Sequence, residues 1–136
     1  MKFVTSVRKF VAIAALCAVA TQAAPAAAAE PEPFRHLYVA GTAVCDAPAG
    51  EWVITWAFTN AFNVGATLGN IRITPADRPV TNLPSEVPAG QTVTGEQRIP
   101  ANTYSAGITV DVNWHDGPVD YNIYRPVYIK TTCNAA

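Results

Sequence analysis

The neighbouring residues His115 and Asp116 are the pair in this chain that comes nearest to catalytic machinery. A histidine base needs a carboxylate that orients its ring and a nucleophile within hydrogen-bond reach. Adjacent residues at the end of a strand point in opposite directions, and Ser85, a candidate hydroxyl, lies in a proline-flanked loop. We therefore predict that the protein is not an enzyme and that His115 is a solvated residue beside a turn.

Metal-binding side chains are few, and their spacing is unfavourable. His36 and His115 lack the close spacing of zinc motifs, so we expect no metal and no other cofactor. Calcium is a further candidate, because extracellular β-sandwiches bind it through loop carboxylates. Asp111, Asp116 and Asp120 cluster around one predicted hairpin, but no repeated Asp-x-Asp loop accompanies them. The sequence favours a solvated hairpin and leaves a weak calcium site open.

Two of the three cysteines are predicted to form a disulfide. Cys17 lies in the apolar N-terminal run, and its removal with that run would leave Cys45 and Cys133 as an even pair. In an oxidising compartment such a pair is oxidised. Both cysteines fall on the apolar parity of predicted strands, which is what a buried bridge requires. The bridge would close a loop of about 90 residues and contribute about 4.5 kcal/mol on the chain-entropy model.

Tyrosines of the last predicted strand are the one positive sign of a binding surface. Tyr124 and Tyr128 have the opposite parity to apolar neighbours such as Val127, so we expect both to be exposed, about 13 Å apart. Flat rings at this spacing can stack on sugars or on a protein partner. Tyr38 is a third candidate. Tyrosine also favours strands without any ligand, so ordinary strand composition is the alternative.

The first 29 residues predict export. Three basic side chains precede an apolar run over residues 10–20, and an alanine-rich stretch ends in an A-x-A site before Glu30. The run is about half as long as the roughly 20 residues that span a bilayer. We therefore expect a cleaved signal peptide in residues 1–29 and a secreted product of residues 30–136.

Charge and hydropathy argue against two classes of partner. The chain has nine Lys plus Arg and ten Asp plus Glu, and loss of the three basic residues in the predicted signal would leave a charge of about −4. Binding to a phosphate backbone needs clustered basic side chains, whereas the remaining ones are scattered. No second hydrophobic stretch appears near the C-terminus. We expect no nucleic-acid partner and, after cleavage, no membrane attachment.

Period-two alternation predicts an all-β domain over residues 30–136. Trp52, Trp56 and the apolar residues that alternate with polar ones around them share one strand face, which we predict to lie in the core. Prolines recur at short intervals, and each removes a backbone donor and fixes φ. This composition disfavours helices and leaves strands as the repeating element.

Turn signals divide the alternating segments into about seven strands. The Asp-Gly pair at residues 116–117 is a strong hairpin signal, because glycine accepts positive φ. The economical architecture is an immunoglobulin-like antiparallel β-sandwich braced by one disulfide. The later strands are predicted over residues 66–74, 79–83, 91–99, 106–115 and 119–130.

Two segments carry a resemblance to a known family. Residues 45–60, CDAPAGEWVITWAFTN, and residues 87–100, VPAGQTVTGEQRIP, resemble stretches in immunoglobulin-like domains of actinobacterial secreted and cell-wall surface proteins. The motifs are turn residues and core aromatics. The resemblance implies a surface or envelope module and supplies no catalytic residues. The sorting tail of wall-anchored members does not follow Cys133.

Three functional hypotheses follow for the exported domain. The leading one is a non-enzymatic immunoglobulin-like module that acts by contact at the cell envelope or in the medium, on an envelope protein or polysaccharide. The second is a small carbohydrate-binding protein that uses the exposed tyrosines. The third is an inhibitor of an extracellular enzyme, with the proline-rich residues 75–88 as its reactive segment.

Overall fold

The computed structural model describes residues 34–134, which form eight β-strands and no helix. The predicted signal peptide, residues 1–29, lies outside the described residues, so export stays a prediction. Within the described part of the chain, no helix is long and apolar enough to cross a membrane. The strands are β1 (Leu37–Asp46), β2 (Glu51–Asn60), β3 (Ala66–Thr74), β4 (Val80–Thr81), β5 (Glu86–Val87), β6 (Thr92–Pro100), β7 (Ser105–Trp114) and β8 (Val119–Tyr128).

The strands form two four-stranded sheets, which confirms the all-β prediction. The first sheet has the order β1-β2-β6-β4 and the second the order β5-β3-β7-β8, and every pairing is antiparallel. There are eight strands where about seven were predicted. The additional one, β5, has two residues, which is too short for alternation to reveal. The predicted segment 66–74 coincides with β3.

The core lies between the inner faces of β2 and β7. Trp56, Phe58 and Ile54 of β2 are fully buried, as are Val110 and Val112 of β7. Each such apolar side chain contributes about 1.5–3 kcal/mol on burial. The predicted core position of the tryptophans is confirmed.

One buried side-chain amide, that of Gln97, provides a hydrogen-bond acceptor for an indole N–H in this core. The Trp56 Nε1–H donates to Gln97 Oε1 at 3.0 Å, and Gln97 Nε2 donates to the carbonyl of Arg78 at 3.0 Å. A buried donor without a partner costs about 1–3 kcal/mol. Gln97 therefore allows an indole ring to be buried completely while its N–H stays paired.

The predicted disulfide is present, and its burial differs from expectation. Cys45 and Cys133 are bonded across a Cα–Cα distance of 5.3 Å. Cys133 is 2% exposed, whereas Cys45 is exposed. Strand parity puts Cys45 on the inner side, but it lies one residue from the end of β1, an edge strand that has a neighbour, β2, on one side only. The expectation of a fully buried bridge is therefore wrong for one of its two cysteines.

A bulge in β8 changes the expected parity of that strand. Ile123 pairs with Val110 and Asp120 with Val112, so β8 has one more residue than β7 between these pairs. Asn122 has φ 57°, and Tyr121, which was expected on the apolar face with Ile123, is 70% exposed. Parity read from the sequence is therefore wrong before the bulge and correct after it.

Candidate binding surface

Tyrosines and tryptophans divide between surface and core. The three tryptophans are at most 9% exposed, while every tyrosine is more than half exposed. Tryptophan and tyrosine both favour strands, so strand composition alone does not account for this division. The exposed fractions of the tyrosines are 53% for Tyr38, 68% for Tyr104, 70% for Tyr121, 60% for Tyr124 and 74% for Tyr128.

Tyr124 and Tyr128, here called the tyrosine strip, lie on the outer face of the second sheet. Tyr124 pairs with Thr109 and Tyr128 with Ser105, and the register between these pairs is unbroken. The strand rise therefore separates the two residues by about 13 Å. The exposure predicted for both tyrosines is present.

Gly107 allows Tyr124 to lie against the sheet. Gly107 pairs with Pro126, which separates the two tyrosines. A Cβ atom at Gly107 would lie 3.1 Å from Tyr124 Cε2 and 3.3 Å from its hydroxyl oxygen. The ring therefore occupies the space that a side chain would fill, and it remains 60% exposed. The edge of the ring, formed by Cε2, Cζ and the hydroxyl group, thus lies next to Gly107, and the exposed part of the ring is available for stacking.

Tyr38 does not join the tyrosine strip. It belongs to β1 in the first sheet, pairs with Thr59, and alternates with the buried Leu37 and Val39. Its ring packs edge-on against His36 at a centroid distance of 4.3 Å. The three candidate tyrosines thus lie on the outer faces of two different sheets and do not form one surface.

Asp111 forms hydrogen bonds with two strand irregularities beside the strip: the bulge in β8 and a second one in β3, where the register with β7 shifts between Gly69 and Arg72. Its carboxylate accepts hydrogen bonds from the Asn122 backbone N–H at 2.9 Å, from Asn70 Nδ2 at 3.0 Å and from Arg72 Nη2 at 3.3 Å. Asn70 and Asn122 both have positive φ. The Asn122 N–H first, and then the Asn70 amide, lower the pKa of Asp111 below its usual value. The carboxylate is occupied by donors and organises the β3 and β8 bulges.

The other two carboxylates of the suggested calcium cluster have their own partners. Asp116 forms an ion pair with Arg35, and Asp120 accepts the Trp114 Nε1–H at 2.7 Å. Among residues 34–134, no group of three or more His, Cys, Asp or Glu side chains is placed to hold a metal ion. The three aspartates are therefore close in sequence, but their carboxylate groups do not converge on one point.

His115 contacts a carboxylate, but a different one from its sequence neighbour. His115 Nε2 lies 2.9 Å from Glu86 Oε2 and 3.0 Å from Thr67 Oγ1, and the Thr67 hydroxyl donates to Glu86 Oε1 at 2.9 Å. A catalytic triad uses the two ring nitrogens for its two partners. Here a single ring nitrogen of His115 contacts both Glu86 and Thr67. The cluster therefore links β5, β3 and the residue after β7, and it does not have the arrangement of a proton relay.

The proline-rich segment 75–88 is attached to both sheets. Within it, β4 pairs with β6 and β5 pairs with β3, and the Ser85 carbonyl accepts the Leu68 N–H at 2.7 Å. The segment therefore passes from the first sheet to the second, and its proposed role as the reactive segment of an inhibitor stays a prediction. Beside it lies a shallow apolar groove of about 280 Å³. The lining side chains are Ile71, Ile73, Pro79, Val80 and Leu83.

Two basic side chains without a carboxylate partner are a feature that the sequence did not predict; one of them, Arg125, pairs with the buried Ile108 and donates from Nε to the Val39 carbonyl of the first sheet, so it lies on the opposite face of β8 from the tyrosine strip. Of the six Lys and Arg residues in 34–134, four form ion pairs with carboxylates. Arg125 and Lys130 form none within this part of the chain, and both are exposed. Sequence position gave no signal, because the pairing partners come from distant strands.

Comparison with protein-family models, with curated proteins and with solved structures returned no match.

Proposed function

We propose that this protein is a secreted, non-enzymatic binding module that acts by contact, and that the outer face of β8 is its contact surface. The observation that carries the proposal is the Tyr124 ring, which lies against Gly107 and stays exposed. Tyr128 adds a second exposed ring on the same strand face. An exposed strip on the outer face of a sheet suits an extended ligand.

Strand order supports an immunoglobulin-like assignment of the sandwich. The order β1-β2-β6-β4 corresponds to strands A-B-E-D of constant-type immunoglobulin domains, and β3-β7-β8 corresponds to C-F-G. The short β5 is an addition at the β3 edge. The disulfide differs from the antibody pattern, since it joins β1 to the segment after β8 rather than two inner strands. The resemblance of residues 45–60 and 87–100 to envelope-associated domains agrees with this assignment.

Polysaccharide is the ligand class that the strip fits best. Sugar rings present flat C–H faces that pack on aromatic rings, and their hydroxyl groups remain hydrated at an open surface. The two tyrosines are separated by about 13 Å, so a polymer could meet both rings along one strand. A polysaccharide of the cell envelope is therefore the proposed partner.

A binding assay with matched tyrosine variants tests this function. We expect the wild-type protein to sediment with isolated cell-wall polysaccharide and Tyr124→Ala/Tyr128→Ala to bind at least about fivefold more weakly, since each of the two stacking contacts contributes about 0.5–1.5 kcal/mol. Tyr38→Ala is the matched control, because it removes an exposed tyrosine from the other sheet. Equal binding by the double variant and the wild-type protein would refute the proposed surface.

A further inference from the structure

Outer-face residues of β7 form a short series beside the Tyr124 ring. Thr109 lies between two fully buried residues of β7, so its side chain points to the outer face of the second sheet. Gly107 and Asp111 are the next outer-face positions on either side of it, each about 7 Å away along the strand. The Tyr124 ring lies next to Gly107, so Thr109 is the first β7 side chain beyond the ring.

Arg72 of β3 lies on the same face as the Tyr124 ring. It pairs with Thr109, which in turn pairs with Tyr124, and residues directly opposite each other on neighbouring strands share a face. The residue after Arg72, Ile73, packs against the core, as alternation requires. Tyr124, Thr109 and Arg72 therefore form one row across β8, β7 and β3.

Three hydrogen bonds hold the Arg72 guanidinium in a fixed position. Nε donates to the Asn70 carbonyl at 3.2 Å, and Nη2 donates to Asp111 Oδ1 at 3.3 Å and to Asn122 Oδ1 at 2.9 Å. These bonds leave Nη1 without a protein acceptor among residues 34–134, and the side chain is 47% exposed. A guanidinium ordered in this way can donate to a ligand from Nη1 without losing further conformational freedom.

The Thr109 hydroxyl group lies between the ring and the guanidinium. The ring is next to Gly107 on one side of Thr109, and the guanidinium contacts Asp111 on the other. Thr109 is half-buried, and its hydroxyl has no hydrogen-bond partner within the described part of the chain. An aromatic ring, a hydroxyl group and a guanidinium thus adjoin one another, and they match the C–H faces and the hydroxyl groups of a sugar.

The charges on this face compensate one another. Arg72 and Asp111 form an ion pair at 3.3 Å, while Arg125 pairs with the buried Ile108 and leaves the opposite face of β8. A face with balanced charge offers a polyanion no net attraction. The remaining outer-face positions of β7 and β8 around the strip are uncharged: Ser105, Gly107, Thr109, Tyr124, Pro126 and Tyr128.

We propose that the ligand is a neutral polysaccharide and that Arg72 and Thr109 determine which sugar binds at Tyr124. This inference rests on the proposed function and adds the charge class of the ligand and the residues that recognise it. The C–H face of the sugar packs on the exposed part of the Tyr124 ring, and its hydroxyl groups bond to Arg72 Nη1 and to the Thr109 hydroxyl. Tyr128 pairs with Ser105 at the end of β7 and extends the contact along the polymer.

Fractionation of cell-wall polysaccharide by anion exchange tests the charge class. The probes are the unretained neutral fraction, the retained acidic fraction, and the defined polymers mannan, galactan and polygalacturonate. We expect the wild-type protein to bind the neutral fraction about tenfold more tightly than polygalacturonate. Binding to the neutral fraction should change by less than about twofold between low salt and about 1 M salt, because no ion pair forms with the ligand. Affinity electrophoresis measures each polymer.

Thr109→Val tests the hydroxyl group at the centre of the row. The substitution replaces the hydroxyl by a methyl group of similar shape and breaks no hydrogen bond within the described domain. We expect binding to the neutral fraction to fall about twofold to tenfold, with an unchanged melting temperature. Thr55→Val is the matched control, because Thr55 is an exposed β2 residue on the outer face of the first sheet.

Arg72→Lys tests the guanidinium while it keeps a positive charge opposite Asp111. A lysine lacks the planar set of donors, so we expect binding to fall about tenfold. Arg98→Lys is its control, because Arg98 is a carboxylate-paired arginine of the first sheet. Thermal melts show whether each variant is folded, and Thr109→Val decides the inference if Arg72→Lys is unstable.

The outcomes separate the inference from the proposed function. Wild-type binding by Thr109→Val and by folded Arg72→Lys, with binding lost in Tyr124→Ala/Tyr128→Ala, would overturn the inference and leave polysaccharide binding standing. Binding to the acidic fraction alone, abolished by about 1 M salt, would likewise overturn the neutral ligand. No binding to either fraction or to the defined polymers would overturn both.

Discussion

The contact between Tyr124 and Gly107 illustrates how the absence of one side chain determines the shape of the candidate surface. The tyrosine's exposure follows from strand parity, which the sequence reveals. Its orientation depends on a glycine in the neighbouring strand, 17 positions earlier in the chain. A Cβ atom at position 107 would lie 3.1 Å from Tyr124 Cε2, so the position of the ring depends on both residues.

Gly107→Ala tests this arrangement directly. The added methyl group would lie 3.1 Å from Tyr124 Cε2, so we expect the ring to tilt away and polysaccharide binding to fall about threefold to tenfold. The ring is the far end of a flexible side chain, so the melting temperature should change little. Binding and thermal melts measure the two effects.

Gly69→Ala is the control for that substitution. Its added methyl group would meet the Asn113 side chain at 3.0 Å on the same sheet face, away from the tyrosine strip. Binding by Gly69→Ala should match the wild-type protein. An equal loss of binding in both glycine variants would indicate a general change in the sheet and contradict a specific role for the Tyr124–Gly107 contact.

Among the elements, β8 combines a regular half and an irregular half. From Ile123 to Tyr128 the register with β7 is continuous, and the tyrosines, Arg125 and the apolar residues take the positions that alternation gives them. Before Ile123 the bulge reverses the parity. Asp111 binds both this bulge and the one in β3, so a single carboxylate organises the two irregularities beside the strip.

Asp111→Asn should make the fold less stable in a pH-dependent way. The lowered pKa of Asp111 means that its ionised form favours the folded state; this contribution is present above the ordinary aspartate pKa of 3.8 and is lost as pH falls through the lower folded pKa. We expect Asp111→Asn to melt at a lower temperature than the wild-type protein near neutral pH. The difference should shrink as pH falls below 3.8.

Asp77→Asn provides the comparison for this pH series, because Asp77 is exposed between β3 and β4. Thermal melts over the acidic range should give the same profile for Asp77→Asn and the wild-type protein. A difference between Asp111→Asn and the wild-type protein that stays constant with pH would show that the effect comes from shape or packing rather than from the charge of Asp111.

For the whole molecule, the disulfide fixes the beginning of the sandwich to its end. The bonded cysteines are separated by 88 positions, so the bridge restricts most of the unfolded domain. Cys133 is buried, and its N–H donates to the Ala101 carbonyl at 3.0 Å, which packs the C-terminal segment onto the loop between β6 and β7. The bridge thus adds a connection that sheet pairing does not supply.

Cys45→Ser/Cys133→Ser is expected to lower the free energy of unfolding by about 4 kcal/mol, chiefly because the unfolded chain gains conformational entropy. Denaturant titration of both proteins, with and without reductant, measures the difference. Reductant should destabilise the wild-type protein and leave the double variant unchanged. If reduced and oxidised wild-type protein unfold at the same denaturant concentration, the bridge contributes nothing to stability.

The sequence by itself determined the features that depend on neighbouring residues. Alternation predicted the strands and the buried tryptophans, and the even pair of cysteines predicted the bridge, because strand parity and cysteine number are local or countable properties. It also predicted that Tyr124 and Tyr128 are exposed on one face, since no irregularity interrupts the chain between them.

Only the tertiary structure decided which distant residues meet. It placed Tyr38 on the other sheet, paired His115 with Glu86 instead of Asp116, left Cys45 exposed at an edge and showed which cations have no carboxylate partner within residues 34–134. Each of these depends on sheet order and register, which are set by contacts between strands far apart in the chain. A single bulge of one residue was enough to reverse the parity of half a strand.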